Sequence, residues 1–292
     1  MTETVLVGVD GTASSLDAVR WGAREAARRQ VPLRLVHAYW VPGHDFPELE
    51  LTDEDVRAEM RRFGSDLLTR ATRVAVETER ALLVETELRA GDPRVVLLDE
   101  CRRAGLAVLG SRQLSAAGGL LVGSIGLTLA IQGRCPLVVV RGVPVDRGPV
   151  LVGSDGSPSA EVALGFAFAE ADLTGATLTV VRTWDGIPTD AATRHELERR
   201  SLDEQLSPWR ERFPGVTVDP VVVRGKPGPV LVEYGRHARL VVVGSRGHGE
   251  VTGLLLGSTS QRLARRSPCP LAIVRADMHV NVVRESPGCR SG

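Results

Sequence analysis

Three short segments occur twice in this chain, in the same order. VLVGVDGTASS begins at Val5 and VLVGSDGSPSA at Val150; LAVLGSRQ begins at Leu106 and LVVVGSRG at Leu240; CPLVVVR begins at Cys135 and CPLAIVR at Cys269. The offset is 145 residues for the first pair and 134 for the other two, so the first copy carries about 11 extra residues in its middle. Solenoid repeats run to roughly 20–50 residues, so a period this long marks a duplicated domain. The segment Gly142–Gly148, with a proline at its centre, reads as the linker. The expected division is residues 1–142, residues 149–276 and a mobile tail over 277–292.

Each copy alternates short apolar runs with helical spacing. In the first, Val5–Val9, Pro32–Ala38, Leu82–Leu88, Leu106–Leu109 and Pro136–Val140 read as strands buried on both faces. Leu16–Arg29, Val56–Ala75, a segment through Val95–Cys101 and one near Ser124–Ile131 read as helices. The second copy repeats the pattern through Leu178–Arg182, Thr217–Arg224, Val230–Tyr234, Leu240–Val243 and Pro270–Val274. Strand–helix alternation predicts parallel sheets with right-handed crossovers. The fold class is therefore α/β: two tandem, doubly wound, five-stranded parallel-sheet domains, with ligands beyond the carboxyl ends of the strands. The last strands, Pro136–Val140 and Pro270–Val274, would be exposed apolar edges unless they pair with each other.

Composition narrows the function classes. Lys and Arg together number 36, against 36 Asp and Glu, a formal net charge of zero. That balance excludes a bulk electrostatic mode of nucleic-acid binding. No apolar run reaches the roughly 20 residues of a membrane helix, and the acidic start MTETVLVGVD is unlike a secretory signal. Cys101, Cys135, Cys269 and Cys289 show no CxxC spacing, so a metal or redox motif is not expected. Cys135 and Cys269 hold equivalent places before the last strand and read as packing residues; Cys289 is a candidate exposed thiol. A cytoplasmic location follows as the expectation.

The strongest chemical signal is GSRGHGEVTGLLLGSTS, Gly244 to Ser260, directly after the apolar run LVVV. Gly244 and Gly247 lie three apart, and Gly257-Ser258 opens the next helix. Glycines allow positive φ and close ligand approach, and free amides at a helix start bind phosphate. The hydroxyls of Ser258 and Ser260 can add donors at that start, with Thr259 between them, and Arg246 lies within the loop. Asp10 and Asp155 end the first strand of each copy. A carboxylate there can accept bonds from a ribose or base or approach Mg²⁺. It can equally be the turn residue of Asp-Gly before a helix capped at Ser157, with Pro158 first.

This loop resembles that of the universal stress protein family, whose ATP-binding members carry G-x2-G-x9-G-[ST]; Gly244, Gly247, Gly257 and Ser258 match without a gap. The resemblance covers nearly the whole chain in the tandem two-domain form. It implies a five-stranded parallel sheet, dimerisation to a homodimer and mostly non-catalytic ATP binding, with Mg²⁺ accompanying the nucleotide. It assigns the nucleotide-contacting aspartate to Asp155 and Asp10, places Thr183 and Ala38 against the adenine, and sets Val243 in the base or sugar pocket. In the first copy Gly110, Gly123 and Ser124 keep the motif, whereas Gln113 replaces the second glycine and Gly126 stands where the second copy has Ser260. ATP is therefore expected in the second copy before the first.

Other motifs fit less well. A dinucleotide GxGxxG lacks its third glycine and its ribose-binding acid; GxxxxGK[ST] and GxSxG do not occur. His37 and His248 have no partner pattern for a general base. The leading reading is an ATP-binding regulatory module with an unidentified protein partner; the alternative is a weak ATP hydrolase or adenylyl-transferring enzyme on the same scaffold. An enzyme should add a positioned base or cationic clamp, and the loop offers only Arg246 and His248.

Overall fold

The computed structural model describes residues 4–39, 53–111, 124–142, 147–185, 191–247 and 256–278. The first half runs β1 (Thr4–Gly8), α1 (Ala13–Arg29), β2 (Leu33–Tyr39), α2 (Asp53–Thr78), β3 (Val84–Ala90), α3 (Pro93–Glu100), β4 (Ala104–Gly110), α4 (Ser124–Gln132) and β5 (Leu137–Val140). The second runs β6 (Val150–Gly153), α5 (Pro158–Thr174), β7 (Leu178–Trp184), α6 (Ala191–Arg212), β8 (Val218–Arg224), α7 (Pro227–Tyr234), β9 (Leu240–Gly244), α8 (Ser258–Arg266) and β10 (Leu271–Val274). The expected alternation is present throughout. Val230–Tyr234 is the end of α7, since Pro227 at its first turn starts a helix well.

All ten strands form one sheet in the order β3-β2-β1-β4-β5-β10-β9-β6-β7-β8. Neighbours are parallel except β5 and β10, which pair antiparallel with Leu271 opposite Val139 and Ile273 opposite Leu137. The apolar edges expected to seek each other do so, and the two five-stranded sheets become one. Side chains of each strand alternate between two cores that run across both halves. Val5, Val7, Val150 and Val152 face α1, α2, α5 and α6, while Leu6, Leu151, Val139 and Ile273 face α3, α4, α7 and α8.

The first helix of each half starts with the same geometry. Thr12 and Ser157 cap α1 and α5 with φ −72° and ψ 159°, their hydroxyls accepting from Ser15 N and Ala160 N. Met278, within the segment expected to form a tail, is buried in the core and receives Arg275 N–H at its sulfur. Residues 279–292, with Cys289, lie outside the described residues. Cys135 and Cys269 are buried, as their equivalent positions suggested. Burial pushes the Cys269 thiol up to about 12.

At the β3 edge, Arg34 binds Glu85, Glu87 and Glu100 at 3.2, 3.1 and 2.8 Å, and Arg89 reaches Asp99 and Glu100 at 2.8 and 3.0 Å. Burial pushes Glu100 upward, but hydrogen bonds from Arg34 and Arg89 outweigh it and hold the carboxyl below its ordinary range. A depressed carboxylate contributes stability that is complete above its unfolded pKa and fades as pH falls through its folded pKa. Stability should therefore decline as pH drops below the ordinary glutamate value of about 4.3. Glu100→Gln should cost about 1.5–3 kcal/mol at neutral pH and flatten that decline. Urea midpoints of both proteins, measured from neutral pH downward, test this; parallel curves would contradict it.

Candidate functional site

The carboxyl ends of β6, β7 and β9 converge with the starts of α7 and α8 on a cavity of about 340 Å³. Its lining includes Asp155, Thr183, Val243, Gly244, Arg246, Gly247, Gly257, Ser258, Thr259 and Ser260. The second-copy residues assigned to the nucleotide by the resemblance thus meet around one space. Lateral distance along the chain is removed by the crossover topology, which returns each strand's end to the same sheet edge.

The three motif glycines serve different roles, and none of them adopts the positive φ that glycine allows. A Cβ on Gly244 would stand 2.5 Å from Ser159 Oγ and 3.0 Å from Ser159 backbone carbon, so this glycine lets β9 approach the first turn of α5. A Cβ on Gly247 would stand 2.4 Å from Asp155 Oδ2, so this glycine lets the loop approach the aspartate. Gly257, with φ −58° and ψ 154°, is the N-cap of α8, and no side chain caps that helix. The amides of its first turn are therefore left for another acceptor.

The described ends of the glycine segment are held by hydrogen bonds. Gly244 O accepts from Ser260 Oγ at 2.7 Å, Ser245 O accepts from Gly257 N at 2.9 Å, and Arg246 O accepts from Ser159 Oγ. These bonds engage the carbonyls, whose negative ends would otherwise repel an anion. They also correct the role expected of Ser260. Its hydroxyl proton goes to Gly244 O and the residue is 2% exposed, so it braces the loop and does not donate to a ligand. Asp155 plays the turn role as well: its Oδ1 accepts from Ser157 N at 3.0 Å, while the residue itself stays exposed on the cavity rim. Positive φ falls instead on Gly156, at +80°, and on Gly225, at +148°.

The first half builds a related cavity of about 270 Å³ lined by Asp10, Ala38, Gly110, Ser124, Ile125 and Gly126, together with Gly8, Thr12, Pro93 and Leu97. Asp10 Oδ1 accepts from Thr12 N at 3.0 Å and Thr12 Oγ1 at 2.6 Å. A Cβ on Gly110 would lie 2.2 Å from Ser14 O, a backbone atom, so this position is closed to any side chain. Gly126 has no hydroxyl to repeat the Ser260 brace. Gln113 and Gly123 lie outside the described residues, as does His248 in the second loop. His37 is buried with Nδ1 2.7 Å from Val9 O, a bond that ties β2 to the end of β1.

Sequence reading passed over Ser154, Asp185, Gly225, Pro227 and Leu231, which also line the second cavity. The signal for some of these was present: Gly91-Asp92-Pro93 and Gly225-Lys226-Pro227 are repeat equivalents, and Pro93 and Leu97 line the first cavity as Pro227 and Leu231 line the second.

Two tandem five-stranded parallel units joined in one sheet, with helices on both faces, define a doubly wound α/β protein. The sequence profile of the universal stress protein family matches residues 1–141 and again 147–275, and the chain belongs to that family. It is 37% identical to a universal stress protein from Mycolicibacterium smegmatis, covering 93% of this chain and 96% of that one. It is 35% identical to one from Mycobacterium tuberculosis, again over 93% of this chain and 96% of its relative. A universal stress protein structure from Archaeoglobus fulgidus superposes with a TM-score of 0.74 at 20% identity, covering 94% of this chain and 99% of that one, a likeness of fold.

The unequal glycine environments give a stability test. Gly110→Ala forces a Cβ against backbone and should cost about 1–3 kcal/mol. Gly257→Ala meets only ordinary contacts, the nearest being Arg246 Cα at 3.4 Å, and should change stability by less than about 1 kcal/mol. Equal losses in urea denaturation would show that the close approach at Gly110 does not constrain the fold.

Proposed function

We propose that the chain is an ATP-binding regulatory protein and that the second cavity is its principal nucleotide site. The observation that carries this reading is the contact between Gly247 and Asp155, where a Cβ would collide with the carboxylate. It sets a glycine loop, an aspartate and the uncapped start of α8 around one cavity. Phosphates are held by the amides of Gly247, Ser258 and Thr259, where the helix dipole favours negative charge; Ser245 N is engaged with Val274 O at 2.7 Å and fixes the start of the loop. Asp155 receives the ribose, while Thr183 and Val243 bound the base. Mg²⁺, which typically binds through nucleotide phosphates and one or two carboxylates, finds Asp155 and Asp185 on the rim. Arg246 adds positive charge at the loop.

ATP then favours whichever state of the protein binds a partner, by as much as its affinity for the two states differs. The alternative enzyme reading is weaker on residues: His37 is engaged with Val9 O, and the described lining of the second cavity contains no histidine or lysine to serve as base or clamp. Pairing of β5 with β10 already joins two modules within one chain, so a homodimer of the chain is an assembly through other surfaces. Among the described residues no helix is long and apolar enough to cross a membrane.

Calorimetry with Mg-ATP should give close to one tight site per chain, since the first loop carries Gln113 where the second carries Gly247. Gly247→Ala should weaken binding at least tenfold, about 1.4 kcal/mol. Unaltered affinity in that variant, or two equal tight sites in the wild type, would refute the assignment. Steady-state ATP hydrolysis should stay far below the median enzyme turnover of roughly 10 per second; turnover near that value would favour the enzyme reading.

A further inference from the structure

Arg141 follows β5 and Arg275 follows β10, at the same 134-residue offset as Cys135 and Cys269. Each reaches across the seam between the halves. Arg141 Nη1 donates to Ala264 O and its Nη2 to Arg265 O at 3.0 Å, in the last turn of α8. Arg275 Nη1 donates to Ile131 O in the last turn of α4. The final carbonyls of a helix have no partner within it, and a cation there complements the helix dipole.

The two clasps are unequal. Arg275 also binds the Asp277 carboxylate at 2.8 and 2.6 Å. Arg141 makes no ion pair with a carboxylate among the described residues, and its Nε is buried without a partner. Arg141 is half-buried; a partly buried cation without an anion needs compensation, and the negative end of α8 supplies it. Helix α8 has nine residues and no side-chain N-cap; its start is tied to the loop by Ser260 and its end by a residue of the other half.

We propose that Arg141 is a positioning residue for the second nucleotide site: the first half, whose own loop departs from the motif, holds the phosphate-facing helix of the second half in place. The affinity consequence rests on the reading of the second cavity as a nucleotide site; the clamping of α8 does not. Without Arg141 the last turn of α8 frays and the helix loses its anchor across the seam, so the amides at its start are no longer fixed. Arg275, shared with Asp277, exerts less hold on α4.

The full-length protein tests this with Arg141→Gln, Arg141→Lys and Arg275→Gln. Amide hydrogen exchange without nucleotide should show faster exchange across Leu263–Ser267 in Arg141→Gln, with α4 unchanged and partial recovery in Arg141→Lys. Mg-ATP affinity should fall about tenfold in Arg141→Gln and less than threefold in Arg275→Gln. Unchanged α8 protection in Arg141→Gln would overturn the proposal whatever the nucleotide result. So would faster exchange spread evenly over both halves in both glutamine variants, which marks general loosening. Altered α8 exchange in a protein whose wild type binds no ATP would uphold the clamp and refute the nucleotide reading.

Discussion

Antiparallel pairing of β5 with β10 governs the rest of the molecule. Leu137–Val140 and Leu271–Val274 are fully buried apolar strands, and either alone would be an unprotected sheet edge. Joining them merges two sheets and lets each apolar core run across the seam. It also brings Arg141 and Arg275 to the opposite half's helix ends. A buried ion cluster forms on the other face, where Arg29 binds Glu25 at 2.6 Å and also Glu170. Those two acids are repeat equivalents, 1% and 2% exposed. Removing Arg29 would leave Glu170 buried without its ion-pair partner, a costly state, while Glu25 keeps Arg28 at 3.4 Å.

Duplication has been followed by divergence inside a fixed frame. In the second half, Ser154 Oγ donates to Gln205 at 2.8 Å, Gln205 donates to Glu161 at 2.7 Å, and Trp209 donates to Glu161 at 2.7 Å. The equivalent positions in the first half are Val9, Leu16, Ala71 and Ala75, all buried in its core. A complete polar network has replaced a complete apolar cluster, in keeping with the cost of a half-satisfied one. The network reaches Ser154, beside Asp155 on the rim of the second cavity.

Much of this was legible in the sequence, because it rests on local rules. Repeats, two-faced strands, and a helix capped at Ser157 follow from residue type and order, and the apolar last strands announced their own pairing. The convergence of Asp155, Thr183, Val243 and the glycine loop on one cavity followed from parallel topology and from family resemblance.

Tertiary structure decided what each residue does once assembled. Gly244, Gly247 and Gly257 look alike in sequence, yet one serves helix packing, one admits an aspartate and one starts a helix, because their neighbours come from distant segments. Ser260 offered itself as a ligand donor until the fold placed Gly244 O within reach of its hydroxyl. Arg141 and Arg275 end the repeated segments CPLVVVR and CPLAIVR, but nothing local names their partners. Their partners lie more than 120 residues away in the chain, and only the closing of the sheet between β5 and β10 determines which carbonyls they meet.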